Sequence, residues 1–308
     1  MRNFLSGVWK VITFPFRLVF NILAFPFRKI RQFNQFLNTE PEEHPITEVF
    51  ANLVTDADTR QMLWDQVEAL RMHLLRMVIA LILTVVASFW FAERAMEFLA
   101  VPVGGLDNLK AIQVTEEIGV FMRVAMASGV ALAFPYIAFE VWLFAAPGLR
   151  SRERKFGLVG IPLATVLFLT GMAFTYYVLL PAALPFLGGF TKIVQDWSAH
   201  EYFTFTTGLM IWIGLFFEFP LLIFILTSIG LVQPKILMEQ WRIAIVVIAI
   251  LAAAVTPTID PVNMGLVMIP MILLYFISIG LSYIAYAGRK RNNLEDQVNA
   301  DKAEAGQG

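Results

Sequence analysis

Cysteine is absent from the 308 residues, which excludes a disulfide framework and all thiolate chemistry. Histidine occurs three times, at His44, His73 and His200, too few and too scattered for paired haem ligation. No H-E-x-x-H is present, nor a G-x-x-x-x-G-K-[ST] phosphate cradle, nor a G-x-S-x-G nucleophile elbow. These absences leave an enzymatic reading without support, and no cofactor, metal or nucleic acid is expected. Charge is also scarce. Charged residues make up 15% of the chain, against about 25% in a typical soluble domain.

What fills the space is apolar. Hydrophobic residues reach 58% and mean hydropathy is +0.69, too large a shift for a globular core. Apolar runs near the ~20-residue spanning length recur along the chain. Six candidate spans lie at roughly 75–93, 120–146, 157–181, 206–230, 243–256 and 264–287. The fifth is short. Its "IAIVVIAILAAAV" covers about 20 Å of a ~30 Å hydrocarbon core. Prolines 135, 162, 181, 220 and 270 fall in or beside the spans and suggest kinked helices.

Lysine and arginine fix the expected orientation. The loop after the second span carries Arg150, Arg152, Arg154 and Lys155; the loop after the fourth carries Lys235 and Arg242; Arg289, Lys290 and Arg291 follow the sixth. The opposite loops hold single charges, Arg94, Lys110 and Lys192. Positive loops stay in the cytoplasm, so both termini are expected inside. The fold class expected is therefore an all-α membrane protein, a concave bundle of six transmembrane helices with an N-terminal amphipathic extension.

Four segments follow. Residues 1–37 repeat "FPFR" at 14–17 and 25–28, eleven residues apart, close to three helical turns. Lys10, Arg17, Asn21 and Arg28 then share a narrow strip on an otherwise apolar surface, the pattern of an interfacial helix on an anionic bilayer. The basic, apolar N-terminus lacks a small-residue cleavage site, so a cleavable signal peptide is not expected. Residues 38–64 read as a polar linker and the start of a cytoplasmic helix, 65–287 as the bundle, and 288–308 as a disordered polar tail.

Inside this apolar chain, ionisable groups stand out. "GLFFEFPLL" places Glu218 near the middle of the fourth span, where a charge costs at least about 2.5 kcal/mol. It reads either as a protonated structural carboxyl or as a polar group facing a wet cavity, and function is the default for such a site. Glu140, in "FEVW", stands nearer the cytoplasmic end and fits interface anchoring as well as function. Arg123 either snorkels or pairs with Glu116 or Glu117, and Tyr176 and Tyr177 read as packing residues. From residues alone, a proton-coupled secondary transporter using Glu218 and a membrane scaffold both stay open. The transporter reading predicts inverted repeats, and no convincing repeat relates the two halves.

Several motifs together resemble one family. "AFPYIAFEVWLFAAPGLRSRERK" is similar to the second span and first cytoplasmic loop of the TatC family, the multi-spanning subunit of the twin-arginine protein translocase. "GMAFTYYVLLPAALPFL" resembles its third span, "FEFPL" its fourth, and "TPTIDPVNM" with the following "IP" its fifth-to-sixth hairpin, covering about residues 65–287. The resemblance implies recognition of twin-arginine signal peptides and export of folded proteins on the proton-motive force. It implies TatA- and TatB-like single-span partners, an oligomeric complex and a bacterial-type cytoplasmic membrane. It assigns Glu153 to signal-peptide binding, with Glu68, Arg71 and Arg154 beside it, and Glu218 to the family's intramembrane glutamate. Pro102, Pro135, Pro147 and Asp260 fall on motif positions. One departure is visible. Where the family usually reads like "HLEELRRRLL", this chain has "QVEALRMHLL", so Ala69 stands at the usual glutamate, Glu68 one residue earlier, and His73 where arginine is common.

Overall fold

The computed structural model describes residues 57–148, 151–189, 197–256 and 261–305. The interfacial reading of residues 1–37, most of the linker, and Asp260 lie outside them. The described chain is almost wholly helical. Helix α1 spans Ala57–Ser88, α2 Ala92–Ala100, α3 Glu116–Ala145 and α4 Ser151–Phe174. A π-helical turn, Thr175–Leu179, joins α4 to α5, Leu180–Gly189. Then come α6 (Ala199–Phe217), α7 (Phe219–Ser228), α8 (Pro234–Glu239), α9 (Trp241–Val255) and α10 (Pro261–Ala305).

Among the described residues, five stretches are long and apolar enough to cross a membrane: Gln66–Ser88, Glu116–Ala145, Gly157–Phe186, Ala199–Ser228 and Pro261–Arg291. The fifth expected span, 243–256, is the 15-residue α9. It is short for the reason legible in its sequence: Gln240 precedes it and "TPT" ends it. Helix α10 continues past 287 to Ala305, where composition suggested a disordered tail. No proline interrupts residues 271–305, and extending a nucleated helix fixes few dihedrals for each bond gained.

The chain forms two compact units. Of the described residues, one comprises those up to Arg76 with those of Glu140–Leu158; the other comprises those of Met77–Phe139 and from Val159 onward.

In the second unit the core runs through Val120, Val124, Leu180, Phe203, Leu209 and Ile213 to Met271 and Ile279. Phe134 stacks on Phe168 with ring centroids 3.9 Å apart. Small residues allow close helix approach, as membrane packing requires. A Cβ on Gly214 would meet the Phe168 ring at 2.8 Å, and one on Gly171 would meet Gly214 Cα at 2.8 Å. Helix α7 packs along α10, where Thr227 and Ser282 share a buried 2.7 Å hydrogen bond.

Buried tyrosines tie short helices to this core. Tyr176 donates to Phe98 O at 2.7 Å, an oxygen that also accepts the Val101 amide, and Tyr202 donates to Leu99 O, so both rings are bound to the end of α2. Tyr176 also stacks on Phe98, so it is more than a packing residue, whereas Tyr177 is exposed. Tyr275 does the same for α8 through Leu237 O.

The loops before α3 and α6 are joined by a two-residue parallel bridge, β1 (Leu109–Lys110) with β2 (Trp197–Ser198). Glu116 completes the join. Its Oε2 accepts from the Ile112 and Gln113 amides at 2.7 and 3.1 Å, and its Oε1 from Ser198 Oγ and the His200 amide at 2.7 and 2.6 Å. Both oxygens are thus engaged at helix N-termini rather than turned to Arg123.

Candidate functional site

The first unit holds most of the polar residues singled out in the sequence. About three turns into α1, Glu68 and Arg71 stand exposed, one helical turn apart. Arg71 Nη1 stands 3.4 Å from Glu68 Oε2, with the two side chains 74% and 62% exposed. Such a pair contributes about 0–1 kcal/mol and leaves the carboxylate open to a better partner. Ala69, at the usual glutamate position, is half-buried beside it.

Glu140 behaves in the opposite way. It lies near the end of α3 and is only 1% exposed. Its Oε2 stands 2.6 Å from His73 Nδ1 and 3.8 Å from Arg76 Nη1. A carboxylate at that depth persists as an anion only beside cations and donors. His73 in turn presents its ring edge-on to Phe144, with centroids 6.0 Å apart. The pairing joins residues 67 apart in sequence, so no local pattern announces it. The signal available was an unusual histidine at one span end and an unusual carboxylate at another.

Arg154 takes a different role from an exposed peptide contact. It is 3% exposed and donates from Nε to Ala146 O at 2.8 Å, with Nη2 near Pro147 O at 3.5 Å. The end of α3 leaves carbonyls without amide partners, and an arginine one turn into α4 supplies donors. Burial lowers the guanidinium from its ordinary value, which still leaves it protonated. Arg154 therefore fixes the short Ala146–Gly148 turn that contains exposed Pro147 and sets how α4 begins. Gly157 lets α4 lie against Trp142, since a Cβ there would stand 2.1 Å from the indole nitrogen. Glu153 belongs to the first turn of α4, but its side chain lies outside the described residues.

In the second unit, Glu218 sits at the break between α6 and α7. Pro220 has no amide for the carbonyl one turn back, so the helix tightens, and the Glu218 amide bonds Leu215 O at 3.1 Å. The carboxyl is partly buried near the Phe168 backbone, and its Oε1 is buried without a hydrogen-bond partner among the described residues. Pro102 lies in the three-residue turn Val101–Val103 after α2, where Gly104 takes φ 94° to turn the chain. Pro135 lies inside α3 with its ring exposed.

Residues 65–270 match the family described as "Sec-independent protein translocase protein (TatC)". A relative from Halalkalibacterium halodurans, Sec-independent protein translocase protein TatC, is 32% identical over 237 residues, 76% of this chain and 92% of its own length. A TatC from Deinococcus radiodurans is 34% identical over 231 residues, 72% of this chain and 86% of its own. Among solved structures, a crystal structure of the twin-arginine translocase receptor TatC is 29% identical with a TM-score of 0.65, covering 71% of this chain and 99% of that one.

Proposed function

Since the chain belongs to the TatC family of Sec-independent protein translocase proteins, a multi-pass membrane component of protein export rather than an enzyme, we propose that it is the receptor subunit for twin-arginine signal peptides. Folded cargo is then carried across the cytoplasmic membrane on the proton-motive force, with both termini of this chain inside and with TatA- and TatB-like single-span partners. The basic "RSRERK" segment and the cluster Arg289, Lys290 and Arg291 within α10 support that orientation.

One observation carries the reading. The first unit keeps a carboxylate exposed at Glu68, held among the described residues by long contacts from Arg71 to both of its oxygens. A guanidinium from an incoming arginine pair forms two directional, charge-assisted bonds to a carboxylate, and so displaces such a contact. Glu153, at the start of α4 in the same unit, supplies the second carboxylate in this reading.

The test is peptide binding by Glu153→Ala and Glu68→Ala variants in nanodiscs. Each change should weaken twin-arginine peptide binding while leaving the melting temperature nearly unchanged, since surface changes usually stay within about 0.5 kcal/mol. Equal binding by the double variant and the parent would refute the assignment. Uptake of a small solute by vesicles containing this chain alone would instead favour a transporter.

A further inference from the structure

The geometry points to α2 as an interfacial helix, seating an aromatic stripe in the lipid headgroup layer at the far end of α1. The stretch Gln66–Ser88 of α1 is long and apolar enough to cross the membrane, and α2 begins after three more residues, Phe89–Phe91. Three residues extend a chain by at most about 11 Å. The turn is also tight: the amides of Phe89, Trp90 and Phe91 bond the carbonyls of Val86, Ala87 and Ser88 at 3.3, 3.3 and 3.1 Å. Phe89 stacks on Phe121, early in the membrane-crossing α3, with ring centroids 5.7 Å apart. Helix α2 therefore starts where two spans leave the hydrocarbon.

Its residues divide by face, at about 100° per residue. Ala92, Leu99 and Ala100 form the buried face, and Tyr176 and Tyr202 hold its C-terminal end through the Phe98 and Leu99 carbonyls. On the opposite side Trp90, Arg94, Phe98 and Val101 follow at intervals of four, four and three, so they share one stripe. Trp90 is 95% exposed, Phe98 50% and Val101 62%. Glu93 and Glu97, also exposed, run together along one flank of that stripe. Facing water, such a helix would leave three large apolar side chains uncovered. In the headgroup layer each group has a place. Tryptophan belongs at the membrane–water boundary, and Phe98 and Val101 enter the acyl boundary. Arg94 lays its stem along them and reaches lipid phosphate with its guanidinium, while the two carboxylates keep to the water side. Lipid is the occupant because the stripe continues a lipid-facing one. Val78, Ile82 and Val86 run exposed up α1 at four-residue intervals, and Trp90 falls four residues further on.

The chain has no cysteine, so single cysteines introduced along α2 take a label without removal of any native residue elsewhere. Spin labels are attached to Phe98→Cys, Val101→Cys, Glu93→Cys and Glu97→Cys, each in the full chain at one copy per nanodisc. Accessibility is read against molecular oxygen, which concentrates in lipid, and against a water-soluble nickel chelate. The oxygen-to-nickel ratio should be severalfold higher at positions 98 and 101 than at 93 and 97. Should Phe98→Cys fail to fold, Val101→Cys, which lies past the end of α2, decides against the two glutamate positions. Equal ratios at all positions overturn the proposal, because the stripe then faces water. Low access to both reagents at 98 and 101 also overturns it, because protein rather than lipid then covers the stripe.

Discussion

At the residue scale, Glu218 and Glu140 show two ways of placing a carboxylate in an apolar chain. Glu140 is almost fully buried beside His73 and Arg76; Glu218, at a helix break, has one oxygen without a partner among the described residues. We propose that the second arrangement serves as a polar foothold for passing cargo. Protonated glutamate and glutamine are close in shape and hydrogen bonding. Glu218→Gln should therefore keep membrane levels and much of the export activity, whereas Glu218→Leu should keep the level and lose most export. Export by energised vesicles, normalised to protein level, reads this; full export by the leucine variant returns Glu218 to a purely structural role. Sequence alone singled out both glutamates, because an ionisable group in an apolar run is visible without coordinates. It did not reveal the partners of Glu140, the loop-stapling role of Arg154, or the Glu116 join, since those depend on which distant residues the fold brings together.

At the element scale, the apolar runs located the long helices but not what happens between them. The fourth expected span, 206–230, is interrupted at Glu218, and the third continues through a π-helical turn into α5. Composition measures how much apolar surface a segment has, whereas such breaks depend on local backbone bonding, here around Pro220 and Tyr176. Helix α2 and the β1–β2 bridge escaped a search for spanning runs because they are only nine and two residues long. Close packing of α4 on α6 depends on glycine, and it makes a contrast within one helix. Gly214→Ala forces a methyl against Phe168 and should cost about 1–3 kcal/mol of stability. Gly208→Ala meets nothing within 4 Å and should leave the melting temperature nearly unchanged. Thermal unfolding of the two variants in detergent checks the pair. Glu116→Ala should open the joined loops, read as faster limited proteolysis near residues 109–113 and 197–200, with Glu116→Gln intermediate.

At the scale of the whole molecule, the family match begins at residue 65, so the basic N-terminal segment lies outside it. A peptide of residues 1–37 should bind vesicles rich in anionic lipid at low salt and release as salt screens its charges. Failure to bind at low salt removes the interfacial reading without touching the receptor. The receptor claim itself concerns how a polytopic chain with so few charges recognises a pair of arginines. Site-specific photocrosslinking from Glu68 and Glu153 positions, in the full chain within membranes, tests it most directly. A twin-arginine signal peptide should crosslink at both positions, and its lysine-pair counterpart should crosslink far less, because lysine cannot form the paired bonds of a guanidinium. Equal crosslinking of the two peptides, or none from either position with the chain folded and present, would contradict the account.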